Sequence, residues 1–248
     1  MSLPRGALVA LLVLAVLAAV FRDNPLTRSA QGYAQSIATT AAGTYVTLRT
    51  LNAFLSTAQE LEVGVSFIAS GTAQPLKVLE PIDDTIERIA GLIFGVMVAT
   101  GVVAIALGPV SGIGWALFAL AVALALLRKR QQVDMGYLAT YGLLLGMGLP
   151  LALTFSAWLA TALTQGAYLE NLAVLQDITQ LVSSADTLEG EGPGLSEYRA
   201  LASNVWARAD ELISSLIAIL SVYVFRLFVM PILLIIAMLL LARRLVQR

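Results

Sequence analysis

The chain has 248 residues, 58% of them hydrophobic and only 12% charged, with a net charge of −1 and a mean hydropathy of +0.85. Soluble domains carry about 25% charged residues, so one large soluble core is a poor reading of this composition. With no histidine and no cysteine, disulfides, thiol chemistry, histidine-ligated metals and histidine general bases are excluded, and no basic footprint for nucleic acid exists.

The charge is also segregated. No Asp, Glu, Lys or Arg falls between Arg88 and Arg128, from Met135 to Tyr168, or from Leu227 to Ala242. Uncharged runs of this length read as membrane spans, because about 20 helical residues cover the ~30 Å hydrocarbon layer. The expected fold class is an all-α polytopic membrane protein: four crossing helices, a re-entrant or fifth helix, and an extracytoplasmic helical layer.

Residues 1–21, with Arg5 ahead of an apolar stretch, read as an N-terminal membrane anchor. A cleaved signal peptide is the alternative, since small residues near Ala18 and Ala19 fit a cleavage site. Asn24-Pro25 then signals a helix start, with Asn24 as cap. From there to about Leu61, the positions Ile37, Ala41, Leu48, Leu51, Leu55 and Ala58 recur at three- and four-residue steps, which predicts a long amphipathic helix. "VGVSF" after Glu62 alternates like a short strand, and Ser70 to Pro75 reads as a turn. Residues 22–88 are thus expected to form an extracytoplasmic helical region.

Pro81 restarts a helix, with Asp83, Asp84 and Glu87 where the helix dipole favours acids. Residues 89–163 are read as membrane helices: 89–108 re-entrant or crossing, then 112–127 and 137–163. Gly91, Gly95 and Ala99, each four apart, form a small-residue face on which another backbone can pack. "GPVSGIG" (Gly108 to Gly114) is expected to break the helix. Gly142 and Gly146 make a second packing seam, and Pro150 predicts a distortion just before it. Residues 164–211 read as an extracytoplasmic helical hairpin turning at "EGEGPG", and 212–248 as the last membrane helix and a basic tail.

Arg226 lies seventeen residues before Arg243, about 26 Å along a helix. That spacing marks the two faces of one hydrocarbon layer, with Arg226 snorkelling at the outer one. Tyr223, Trp115 and Trp158 are taken as further interface anchors. Lys and Arg concentrate on cytoplasmic flanks, so "RKR" at 128–130 and the tail with Arg243, Arg244 and Arg248 are placed inside, which leaves the C-terminus cytoplasmic.

The stretch "LNAFLSTAQELEVGVSFIASGTAQPLKVLEPIDDTIERIAGLIFGVMVATG" resembles a family of uncharacterised bacterial polytopic inner-membrane proteins. Members similarly follow a Leu-Asn helix with a turn and an acid-Pro entry, closing on Glu-Arg, into an apolar helix. The final span, with Pro231, is similar too. The resemblance implies a bacterial inner membrane and carries no activity with it.

Chemistry is sparse. Glu80, Asp83, Asp84 and Glu87 offer oxygen ligands suited to Ca²⁺ or Mg²⁺, but acids in a first helical turn are explained by the dipole alone. Ser111 in "VSG" lacks any histidine to activate it, and no phosphate-cradling loop is present. No catalytic, cofactor-binding or metal site is assigned. The expected function is a non-enzymatic protein that self-assembles or scaffolds a partner through its extracytoplasmic helices. Its expected partners are the lipid bilayer and a second copy or another membrane protein. The alternative is an oligomeric channel or transporter whose pore is bordered by residues 89–114.

Overall fold

The computed structural model describes residues 4–21, 24–66, 80–127, 133–186 and 195–246. Among them the elements are helical throughout: α1 (Arg5–Val20), α2 (Pro25–Ser66), α3 (Glu80–Leu127), α4 (Val133–Leu143), α5 (Leu149–Asp186), α6 (Leu195–Ala207), α7 (Ala209–Val224) and α8 (Met230–Val246). Two wider π-helical turns, Leu144–Gly148 and Phe225–Val229, join α4 to α5 and α7 to α8. Four helical stretches are long and apolar enough to cross a membrane: Arg5–Glu60, Glu80–Leu127, Gly136–Val182 and Ala209–Leu241.

The chain divides into two compact units. One comprises Met1–Ala38, Val98–Ala162 and Phe225–Arg248, and the other Thr39–Met97 and Leu163–Val224. In the second unit, apolar side chains from four helical stretches fill the core. Leu48, Leu51 and Leu55 come from α2, Ile86 and Ile93 from α3, Leu175 and Ile178 from α5, and Leu212, Leu216 and Ile219 from α7, all fully buried. In the first unit, Ala30, Leu107 and Leu153 form a smaller cluster, with Val103 and Leu149 against it.

α2 starts where its cap dictates. The Thr27 N–H donates to Asn24 Oδ1 at 2.8 Å, satisfying one of the donors that a helix start leaves without a partner. The expected stripe of Ile37, Ala41, Leu48, Leu51, Leu55 and Ala58 is buried along its whole length. The helix then runs on through Ser66, so residues 63–66 of the expected strand are helical instead. An alternating pattern of four residues has no partner strand here, and propagating an existing helix costs far less than nucleating a new element. The turns expected at 70–75 and 189–194, and the basic "RKR" at 128–130, lie outside the described residues.

The second correction is larger. "GPVSGIG" does not break the helix: α3 is continuous from Glu80 to Leu127 with Pro109 inside it. Segments 89–108 and 112–127, expected as separate elements, are therefore one rod, about 72 Å long at 1.5 Å per residue. Contacts from other helices explain the continuity. Gln31 Nε2 donates to the Ala104 carbonyl at 3.2 Å, and Ser111 is drawn into a hydrogen-bonded chain that runs from Thr27 on α2 to the turn between α4 and α5.

Candidate functional site

Both π turns precede a proline, and both are patched from another helix. In the first turn the Leu149 N–H returns to the Leu144 carbonyl five residues earlier, and Pro150, next in line, has no N–H to give. Ser111 Oγ donates into this turn, to the Gly146 carbonyl, at 2.8 Å, and Thr27 Oγ1 donates in turn to Ser111 Oγ at 3.3 Å. In the second turn, the i→i+5 spacing of a π helix pairs the Arg226 carbonyl with residue 231, a proline. Tyr33 Oη donates to this carbonyl at 3.2 Å. Thr27 and Ser111 are buried. Linked hydroxyls polarise one another and strengthen the chain, while a buried carbonyl left without a donor costs about 1–3 kcal/mol. Ser111, weighed above as a nucleophile, is thus committed to holding a helix joint. That Pro150 withholds an N–H from the turn before it is visible in the sequence; the Ser111 hydroxyl that enters this turn from α3 is not.

The expected seam of Gly142 and Gly146 is formed, and Gly114 completes it from the other side. A Cβ on Gly114 would overlap the backbone of Leu145 and Gly146, and one on Gly142 would stand 2.6 Å from the Phe118 nitrogen. A Cβ on Gly146 would stand 3.0 Å from the Trp115 nitrogen and 3.2 Å from its indole. Only glycine permits this approach of two backbones. Trp115 packs on Gly146 and meets Phe118 edge-on at 6.1 Å between ring centroids.

Tyr223 is also corrected. It is 1% exposed in the second unit, with its hydroxyl 2.8 Å from Thr44 Oγ1 and 3.3 Å from Tyr168 Oη. A buried phenol keeps its place only when its hydroxyl finds partners, and here two helices supply them. Trp158, by contrast, is 73% exposed. Arg226 is half-buried within its π turn.

The acids at the start of α3 disperse. Asp83 Oδ2 accepts from Ser56 Oγ at 3.4 Å, Glu87 lies 3.8 Å from Arg49, and Glu80 and Asp84 are exposed. A tighter ion cluster lies where the sequence reading singled nothing out. Arg208 donates to Glu211 at 2.8 Å and to Asp177 at 2.6 Å. Together these acids hold its guanidinium above its ordinary pKa range. The cluster ties α5 to the joint between α6 and α7. The sequence clue was an Arg, one of two in the hairpin with Arg199, amid its acids.

Gly91 and Gly95 behave differently from Gly142 and Gly146. Both are exposed, and a Cβ on either would meet nothing within 4 Å. Among the described residues they form no seam, and Ala99 is half-buried at the edge of that face. The exposed line down α3 runs instead through Gly91, Gly95, Val98, Val102 and Ile105, at three- and four-residue steps. Val98 is 46%, Val102 59% and Ile105 78% exposed. Further along, Ala19, Pro109, Gly112, Ile113 and Ala116 line a recess of about 230 Å³ that offers no polar side chain.

No known protein family, curated protein or solved structure matches this chain.

Proposed function

We propose that this is an integral membrane protein with four crossing helices. In this reading the long α2, the first part of α3, and the helices of residues 163–224 lie in water on one side, as a non-enzymatic scaffold that assembles with itself or with another membrane protein. The observation that carries the reading is the outward face of α2. From Arg28 through Ser29, Gln35, Ser36, Thr39, Arg49, Thr50 and Thr57 to Glu60, its exposed positions are largely polar or charged. That face is 33 residues long, about 50 Å, and hydrocarbon has no place for it.

The crossing segments then follow from length. Twenty residues back from Leu127 reach Gly108, and Thr27 on the polar helix is bonded beside that level, to Ser111. Tyr137 to Trp158 spans about 32 Å and Arg226 to Arg243 about 26 Å, each close to one hydrocarbon thickness. Tyr137, 68% exposed, and Trp158 stand where interfacial aromatics belong. α3 crosses once in this arrangement, and residues 89–107 lie above the hydrocarbon, neither crossing nor re-entering.

The basic residues give the orientation. Arg5, "RKR" at 128–130, Arg243 and Arg244 all fall on one side, which the positive-inside tendency makes the cytoplasm. Both termini are then cytoplasmic and the helical layer is extracytoplasmic. The likeness of residues 51–101 supports a bacterial inner membrane as the location.

The cysteine-free chain makes the test direct. Thr50→Cys is expected to react with an impermeant maleimide in intact cells, and Arg130→Cys only after the membrane is opened. A protected Thr50→Cys, or the reverse pattern, overturns the topology.

A further inference from the structure

We infer that residues 27–33 of α2 are a shared clamp on the three helical runs that contain an interior proline, so that the bends of these runs are set together and not one by one. The clamp lies wholly within the first compact unit. It goes beyond the scaffold proposed above and needs no particular orientation in the membrane.

Among the described residues, three prolines stand inside continuous helical runs: Pro109 in α3, Pro150 where α4 passes into α5, and Pro231 where α7 passes into α8. Each withholds an N–H from the turn before it and crowds that turn with its ring, and such turns are where helices bend. Into each of the three turns comes a donor that traces back to α2. Gln31 Nε2 reaches the Ala104 carbonyl, five residues before Pro109, at 3.2 Å. Gly108 leaves room for it, since a Cβ there would stand 3.3 Å from the same nitrogen. Thr27 reaches the Gly146 carbonyl, four residues before Pro150, through Ser111. Tyr33 reaches the Arg226 carbonyl, five residues before Pro231, at 3.2 Å.

The arrangement makes the three turns depend on one another. At 3.6 residues per turn, Gln31 stands about 40° around α2 from Thr27, and Tyr33 about 240°. The bonds therefore leave α2 in opposing directions, and a shift of α2 toward one turn lengthens the bond to another. Ala30 and Ala34, both buried between these donors, present no long side chain to interlock with a neighbour, which leaves much of the fixing to the hydrogen bonds. A rigid element tied by hydrogen bonds to several partners is a physical route by which separate helices move together. Two of the three clamped turns are π-helical, a geometry that recurs at functional joints inside α-helices.

The test is amide hydrogen exchange, read by mass spectrometry on the full chain in detergent, over the turns 104–108, 144–149 and 226–230. Tyr33→Phe removes the donor of the third turn and touches neither of the others; Gln31→Met keeps the length of its side chain and removes the donor of the first. Each variant is expected to speed exchange about fivefold in its own turn, the weight of one neutral hydrogen bond, and about twofold or more in the two turns it does not touch. Residues 209–222 of α7 are expected to keep their original rate. Faster exchange confined to the turn that lost its bond overturns the clamp and leaves three separate repairs. Unchanged exchange in all three turns overturns it as well, and so does a uniform rise that includes 209–222, the mark of general destabilisation. Either variant decides alone if the other fails to fold.

Discussion

Two pairs of glycines share one spacing and lead opposite lives. Gly142 and Gly146 lie against the backbone of α3, where a single added carbon has no room; Gly91 and Gly95 face outward with nothing within 4 Å. The difference lies in what stands opposite. Gly114, 28 and 32 residues before the packed pair, removes the side chain from the facing helix, so the two backbones meet. Among the described residues, nothing lies within 4 Å of a Cβ on the open pair. A four-residue glycine repeat thus states that close approach is permitted, and only the partner's sequence decides whether it happens.

This comparison is broken most severely by filling its tightest point. Gly114→Val pushes two helix backbones apart and is expected to cost more than about 3 kcal/mol, at or beyond the usual range for overpacking. Thermal unfolding in detergent followed by tryptophan fluorescence reads it, and near-wild-type melting refutes the seam. Gly142→Ala inserts one methyl beside the Phe118 backbone and is expected to cost about 1–3 kcal/mol. It is measured in the same way, with a smaller drop than Gly114→Val as the criterion.

Ser111→Ala leaves the backbone approach intact and removes the donor to the Gly146 carbonyl. About 1–2 kcal/mol is expected; an unchanged melting temperature would show that another donor replaces it. At the other end of the scale, Gly95→Leu is expected to change the melting of the detergent-solubilised monomer by less than about 0.5 kcal/mol, as an open surface position does. A large loss there would mean that the open face is closed within one chain.

What the sequence made legible was what neighbouring residues decide. The α2 stripe from Ile37 to Ala58 follows from helical periodicity, and the Asn24 cap from residue chemistry three positions apart. The distortion before Pro150 follows from a missing N–H. What stayed hidden depends on distant partners. Local propensity around Pro109 favours a break, yet hydrogen bonds reaching 35 residues to Gly146 and 73 residues from Gln31 hold α3 together. Tyr223 next to a long apolar span reads as an anchor, but its hydroxyl belongs to Thr44, 179 residues away. The small residues of α3 are visible in the sequence, but that nothing described lies within 4 Å of a Cβ on Gly91 or Gly95 is not, because spacing alone does not reveal where the rest of the chain goes.

The hydroxyl joint at Gly146 has a consequence for how the protein is made. In the topology proposed above, a carbonyl without a donor in lipid costs several kcal/mol, so the span containing Pro150 would be a poor membrane segment by itself. Its remedy, Ser111, lies earlier in the chain and has already left the ribosome when residues 137–162 emerge. Synthesis order therefore delivers the donor before the acceptor needs it. Moving α3 behind α5 by circular permutation would keep every contact of the finished fold, yet leave the span to enter the bilayer without its donor.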